Sequence, residues 1–116
     1  MNRSRQRDAV LEYVEKTRIH PTAENVFLTV RKRMPRVSRG TVYRNLHQLT
    51  NAGMIREVKE NGIVRFDGNH DTHAHLVCDS CDTIIDIPVP ELRIKRDGFM
   101  VERVVLRGHC AHCQRR

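Results

Sequence analysis

The chain has 116 residues, room for one compact domain or two very small ones, and hydrophobic residues make up only 39% of it, so any core is small. Lys and Arg number 21 against 14 Asp and Glu, a net charge of +7, which favours an anionic partner such as nucleic acid, with a merely basic surface as the alternative. No apolar run approaches the ~18 residues of a membrane span, and no apolar stretch follows the positive charges of "MNRSRQRDAV", so a signal peptide and a membrane partner are excluded and a cytoplasmic location is expected.

In chain order, the first half reads as three helices and a hairpin. Residues 4–16 place Val10, Tyr13 and Val14 on one helical face. His20-Pro21 breaks the chain, and periodicity reads His20 only as a loop residue. Thr22 is placed to cap a second helix, Ala23 to about Arg33, with Ala23, Val26, Phe27 and Val30 at i, i+3, i+4 and i+7. Pro35 ends it, and Ser38 caps a third, "RGTVYRNLHQLTNA", with Val42, Leu46 and Leu49 inward and Gly53 at its end. In "MIREVKENGIVRFDG", Asn61-Gly62 between two β-prone runs signals a type I′ hairpin. This is the order of a winged helix-turn-helix, with the third helix in the DNA major groove and the hairpin as wing. Arg39, Thr41, Tyr43, Arg44 and His47 lie off the apolar stripe of that helix. Arg39, Thr41, Tyr43 and Arg44 are the candidate contacts to phosphates and base edges; a solvated charged face is the competing reading.

The second half reads as a small α/β unit. "HAHLVC", "TIIDIPV" and "GFMVERVVLRG" are strand-like, and Pro90 opens a short helix to about Arg96. The polar stretch 68–72 divides a domain at 1–67 from one at 73–116. Cys78/Cys81 and Cys110/Cys113 form two Cys-x-x-Cys knuckles. In a reducing compartment such a pair of knuckles favours one structural zinc in a closed four-thiolate site over disulfides or a redox dithiol. The period of a strand puts His73 and His75 on one face, apart from the thiolates. With Asp67 and Asp86 within reach they are either surface residues or ligands of a second ion, and imidazole with carboxylate suits Fe(II), Mn(II) or Zn(II). His70, His109 and His112 read as surface residues.

The stretches "RIHPTAENVF", "SRGTVYRNLHQLTNAGMI", "RFDG", "HAHLVCDSC", "IIDI" and "GHCAHC" span nearly the whole chain. Together they resemble the ferric uptake regulator family, and its peroxide-sensing branch most closely. The resemblance implies an α+β fold: an N-terminal winged helix-turn-helix, then a small α/β dimerisation domain with a four-cysteine zinc site. It implies a cytoplasmic homodimer that represses transcription by binding double-stranded operator DNA at an inverted repeat, and it implies no enzyme. Beside one structural Zn²⁺ per subunit it implies one regulatory Fe²⁺ or Mn²⁺, held by His20, Asp67, His73, His75 and Asp86. In the peroxide sensors, H₂O₂ is the only small-molecule reactant and oxidises a ligand histidine, which falls here on His20 or His73. Iron sensors of the family commonly carry Glu in place of Asp86, and a further ligand set where this chain has Thr72, Ala74, Arg93 and Glu102. An iron- or zinc-responsive repressor is the alternative within the family. A metalloenzyme is the alternative outside it, though no nucleophile-base pair is readable. Fewer residues precede Gln6-Arg7 than is usual in the family, and the short span from Cys81 to Cys110 implies a trimmed dimerisation helix.

Overall fold

The structure is a computed structural model that describes residues 2–69, 73–88 and 104–114, without the side chains of Asn2, Arg3, Ser4, His73 and Pro88. The chain divides into two compact units, Met1–Asn69 and His70–Arg116.

The first unit runs α1 (Asn2–Lys16), α2 (Ala23–Arg33), α3 (Arg39–Asn51), β1 (Arg56–Glu60) and β2 (Ile63–Asp67). The helices begin where local chemistry dictates. Thr22 Oγ1 accepts from the Asn25 amide and Asn25 Oδ1 accepts from the Thr22 amide, both at 3.1 Å, a complete capping box. Ser38 Oγ accepts from the Thr41 amide at 3.1 Å. At the far end of α3, Gly53 takes a φ of 74°, the left-handed conformation that stops a helix at little cost. The apolar stripes meet in one core of Val10, Val14, Val26, Phe27, Val30, Val42, Leu46 and Leu49, closed by Ile55 just before β1 and Phe66 from β2. Each such side chain contributes about 1.5–3 kcal/mol on burial. Tyr13 packs at the margin of this core. Asn45 is buried on the same face of α3, where the sequence pattern shows only apolar positions.

β1 and β2 pair antiparallel, from Arg56 opposite Asp67 to Glu60 opposite Ile63. Asn61 and Gly62 have φ of 55° and 76°, the two left-handed residues that a type I′ turn requires. Three helices and this hairpin make a winged helix-turn-helix.

The second unit holds β3 (His73–Cys78), β4 (Ile84–Pro88), β5 (Val104–Gly108) and a single turn of helix, α4 (Ala111–Gln114). The sheet order is β4-β3-β5, with β3 antiparallel to β4 and parallel to β5. The parallel pair β3–β5 is joined through β4, and residues 89–103 between β4 and β5 lie outside the described residues. The short helix expected at 90–96 lies outside the described residues, as do 70–72 of the expected linker. α4 is too short to carry a periodic signal, and the sequence pattern does not show it.

Candidate metal centres and DNA-facing helix

The two knuckles converge within the second unit. Cys78 ends β3, Cys81 sits in the turn to β4, Cys110 follows β5 and Cys113 lies in α4. Because β5 pairs directly with β3, Cys78 stands opposite Gly108 and the two knuckles leave the same end of the sheet. All four sulfurs lie within 4.8 Å of one another, and Cys81 Sγ is 3.8 Å from Cys110 Sγ. A tetrahedron with Zn–S bonds of about 2.3 Å has an edge of roughly 3.8 Å, so the cluster fits the ion. None of the four is in a disulfide.

Two of the four thiols, Cys78 and Cys81, are biased toward thiolate by their hydrogen-bond partners. The Cys110 amide donates to Cys78 Sγ at 3.4 Å. Hydrogen bonds from the amides of Cys110, Cys81 and Ser80 hold the Cys78 thiol well below its ordinary value, at about 6. The Thr83 hydroxyl, 3.1 Å from Cys81 Sγ, lowers Cys81 in the same way. Cys113 is pushed up to about 12, first by Cys110 and then by burial and the other two sulfurs, so protons leave the cluster unequally. Outside the cage, Ser80 Oγ lies 2.9 Å from His109 Nδ1, and Arg107 donates to Asp79, tying one knuckle to the other.

The His and Asp residues assemble as pairs. In the first unit, His20 and Asp67 are both buried, with His20 Nε2 3.9 Å from Asp67 Oδ2. Two ligands about 2.0–2.2 Å from one ion stand up to roughly 4.3 Å apart, so this spacing suits a shared metal. In the second unit, the β3–β4 register places His75 directly opposite Asp86. His75 is 1% exposed, and its Nε2 lies 3.2 Å from Asp86 Oδ1. Buried imidazole beside carboxylate, with no thiolate, is a donor set for a divalent metal of intermediate hardness. His73 begins β3, two residues before His75; its side chain lies outside the described residues. The chain thus carries a four-cysteine zinc site and, separate from it, His and Asp ligands for a regulatory metal.

A model of the ferric uptake regulator family matches residues 1–107. The peroxide-responsive repressor PerR of Staphylococcus aureus (strain USA300) is 32% identical over 118 aligned positions, covering 94% of this chain and 80% of that one. The chain belongs to the ferric uptake regulator family. Among solved structures, the Campylobacter jejuni peroxide stress regulator is 26% identical, with a TM-score of 0.83 over 97% of this chain and 91% of that one. The Helicobacter pylori ferric uptake regulator Fur, 21% identical, shares the fold with a TM-score of 0.80 over 95% of this chain and 80% of that one. Members of the family are metal-responsive transcription regulators rather than enzymes, and among the described residues no helix is long and apolar enough to cross a membrane.

In this family member α3 has the amphipathic build of a recognition helix. Tyr43, Arg44 and His47 are exposed, and Thr41 is half-buried. Arg44 Nη2 donates to Thr41 Oγ1 at 3.2 Å. Arg39 is placed differently. Its Nε donates to Glu24 Oε1 at 2.8 Å and its guanidinium lies 4.5 Å from the centre of the Phe27 ring. Glu24 raises the Arg39 guanidinium further, and Arg39 lowers the Glu24 carboxyl. Thr83, His109 and Arg65 gain structural partners that no sequence motif announces.

Proposed function

We propose that this regulator is a cytoplasmic, homodimeric repressor that senses hydrogen peroxide, with His20, Asp67, His73, His75 and Asp86 as ligands of one regulatory Fe²⁺ or Mn²⁺ per subunit. The observation that carries this reading is the pair of imidazole–carboxylate couples, His20 with Asp67 and His75 with Asp86, in which both imidazoles are buried and the donors are nitrogen and oxygen only. Asp86 where iron sensors commonly have Glu, and the likeness to the S. aureus and C. jejuni peroxide regulators, support the peroxide branch.

When bound, Fe(II) supplies the one-electron chemistry that activates peroxide, and Mn(II) does not. The chain's residues do the rest. As ligands of the metal, His20 and His73 would be the oxidisable groups at hand, and one of them would gain an oxygen while peroxide is reduced to water. An oxidised imidazole is a poorer ligand. Metal retention then falls, and with it the hold of Arg39, Thr41, Tyr43 and Arg44 on an inverted-repeat operator. The cysteines are spared, because zinc has no redox chemistry and closes its own site.

Mass spectrometry before and after dilute H₂O₂ tests this. A gain of about 16 Da, one oxygen atom, is expected on a peptide containing His20 or His73 in iron-loaded protein and not in manganese-loaded protein, with DNA release following the same dose. Oxygen on the cysteines, with zinc lost before DNA is released, would make the protein a thiol switch. Iron-loaded protein that stays on DNA through peroxide, oxidised at neither site, would make it an iron- or zinc-responsive repressor.

A further inference from the structure

His20 has a φ of 52°, in the left-handed region, and it precedes Pro21. A residue with a Cβ enters that region at a cost, and the ring of a following proline pushes its neighbour toward extended backbone. Surrounding structure must hold His20 there. Two consecutive residues of β2 do so. Arg65 Nη1 donates to the His20 carbonyl at 3.0 Å, in a half-buried setting. The Phe66 amide donates to the Pro21 carbonyl at 2.9 Å. The second bond is backbone to backbone and survives most substitutions, but the first depends on one side chain.

The same strand carries Asp67, two residues beyond Arg65, with its carboxylate 3.9 Å from the His20 imidazole. Arg65 itself pairs across the hairpin with Val58, so it is anchored in the wing and reaches back to the α1–α2 connection. The hydrogen bond therefore joins the backbone of one ligand to the strand that ends in the other. It touches the carbonyl of His20 rather than its ring. We propose that Arg65 is a positioning residue of the regulatory site: by holding the His20 carbonyl it fixes the left-handed turn that sets the His20 imidazole beside Asp67. This rests on the reading of His20 and Asp67 as metal ligands. Nothing in the sequence marks Arg65 for the role, since 45 positions separate it from His20.

The test is Mn²⁺ titration of full-length, zinc-loaded protein, with thermal unfolding in the absence of Mn²⁺. Partners that orient a metal ligand without touching the metal typically change affinity about 10–100-fold. Arg65→Ala should raise the Mn²⁺ Kd by about tenfold or more, while zinc content stays at one per subunit and the metal-free Tm stays near that of the parent. Arg65→Lys, which keeps a donor on a long stem, should recover part of the affinity. In a His20→Ala background Arg65→Ala should add little, because the ligand it serves is gone. If Arg65→Ala lowers Tm and leaves the Kd unchanged, Arg65 is only a fold residue. If it weakens DNA binding at saturating Mn²⁺ and flattens the salt dependence with an unchanged Kd, Arg65 is a phosphate contact; either result overturns the proposal. Failure of the underlying reading looks different: His20→Ala and Asp67→Ala would then leave Mn²⁺ binding untouched.

Discussion

Arg39, the first residue of α3, is tied to Glu24 in the first turn of α2, with Nε and Oε1 2.8 Å apart and the guanidinium lying on Phe27. This link works across the helix-turn-helix and fixes where α3 begins. Glu24→Gln and Arg39→Ala should therefore produce similar small losses of Tm, and the double variant should lose no more than either alone. A double-mutant cycle in thermal unfolding checks this. Additive losses would mean that the two side chains act independently.

Arg44 and Tyr43 present their side chains outward from the same helix. Arg44→Ala should weaken operator binding and lower the slope of log K against log salt by about 1, the signature of one lost phosphate contact. Tyr43→Ala should weaken binding with the slope unchanged. Fluorescence anisotropy over a range of salt concentrations reads both. Unchanged affinity in the two variants would remove α3 from the groove.

Cys78 is the buried member of the zinc cage and accepts the Cys110 amide. Cys78→Ser should abolish zinc binding and lower the stability of the second unit, because binding energy at a structural zinc site is folding energy. Metal analysis alongside chelator-dependent unfolding measures the two together. A stable variant without zinc would show that the sheet holds without the ion.

Zinc binding should release fewer than four protons at pH 7. With Cys78 held at about 6, its thiol is already ionised at that pH, whereas Cys113, pushed up to about 12, still carries its proton. As pH falls through 6, Cys78 regains its proton, so the number released climbs toward four and apparent affinity drops more steeply. Calorimetry in buffers of different ionisation enthalpy counts these protons. Four released at pH 7 would mean that the amide cradle around Cys78 forms only with the metal.

Gly68 follows Asp67 directly, and a Cβ placed there would stand 2.7 Å from the Glu15 Cα and 2.8 Å from the Val14 carbonyl oxygen. Both are backbone atoms of α1 and cannot swing aside. Gly68→Ala should destabilise the winged-helix unit by about 1–3 kcal/mol, as overpacking does. The denaturant midpoint reports it, and no change would mean that α1 can give way.

Much of this was legible because the deciding signals are local. The caps at Thr22 and Ser38 and the turn at Asn61-Gly62 each act within four residues, and each forms as its sequence dictates. The zinc cysteines were legible because their spacing fixes the geometry of a knuckle. Periodicity could not mark Asn45, because burial of a polar side chain depends on which helix packs over it. His20 was invisible to pattern for the same reason: it is a loop residue until β2 comes against it, and only the family resemblance singled it out. The partners of Arg65 and His109 arise from contacts distant in sequence, which neither spacing nor composition encodes. Thr83 meets Cys81 only two residues away, but a hydroxyl beside a thiolate carries no spacing rule, and α4 is a single turn with no period to read.

The capping box of α2 begins two residues after His20, and Glu24, which holds Arg39, comes two residues later still. The α1–α2 connection therefore has two zones with opposite tolerance for length change. An extra residue at 17–19, where Ile19 is 60% exposed, shifts only a surface bend. An extra residue between Thr22 and Glu24 would change the Thr22–Asn25 spacing and turn every later side chain of α2 by about 100°, breaking the cap and the tie to α3, and one between His20 and Thr22 would displace the left-handed turn from the cap it adjoins. Natural length variation in this connection should collect before His20, and the five positions from His20 to Glu24 should be inherited as an uninterrupted block.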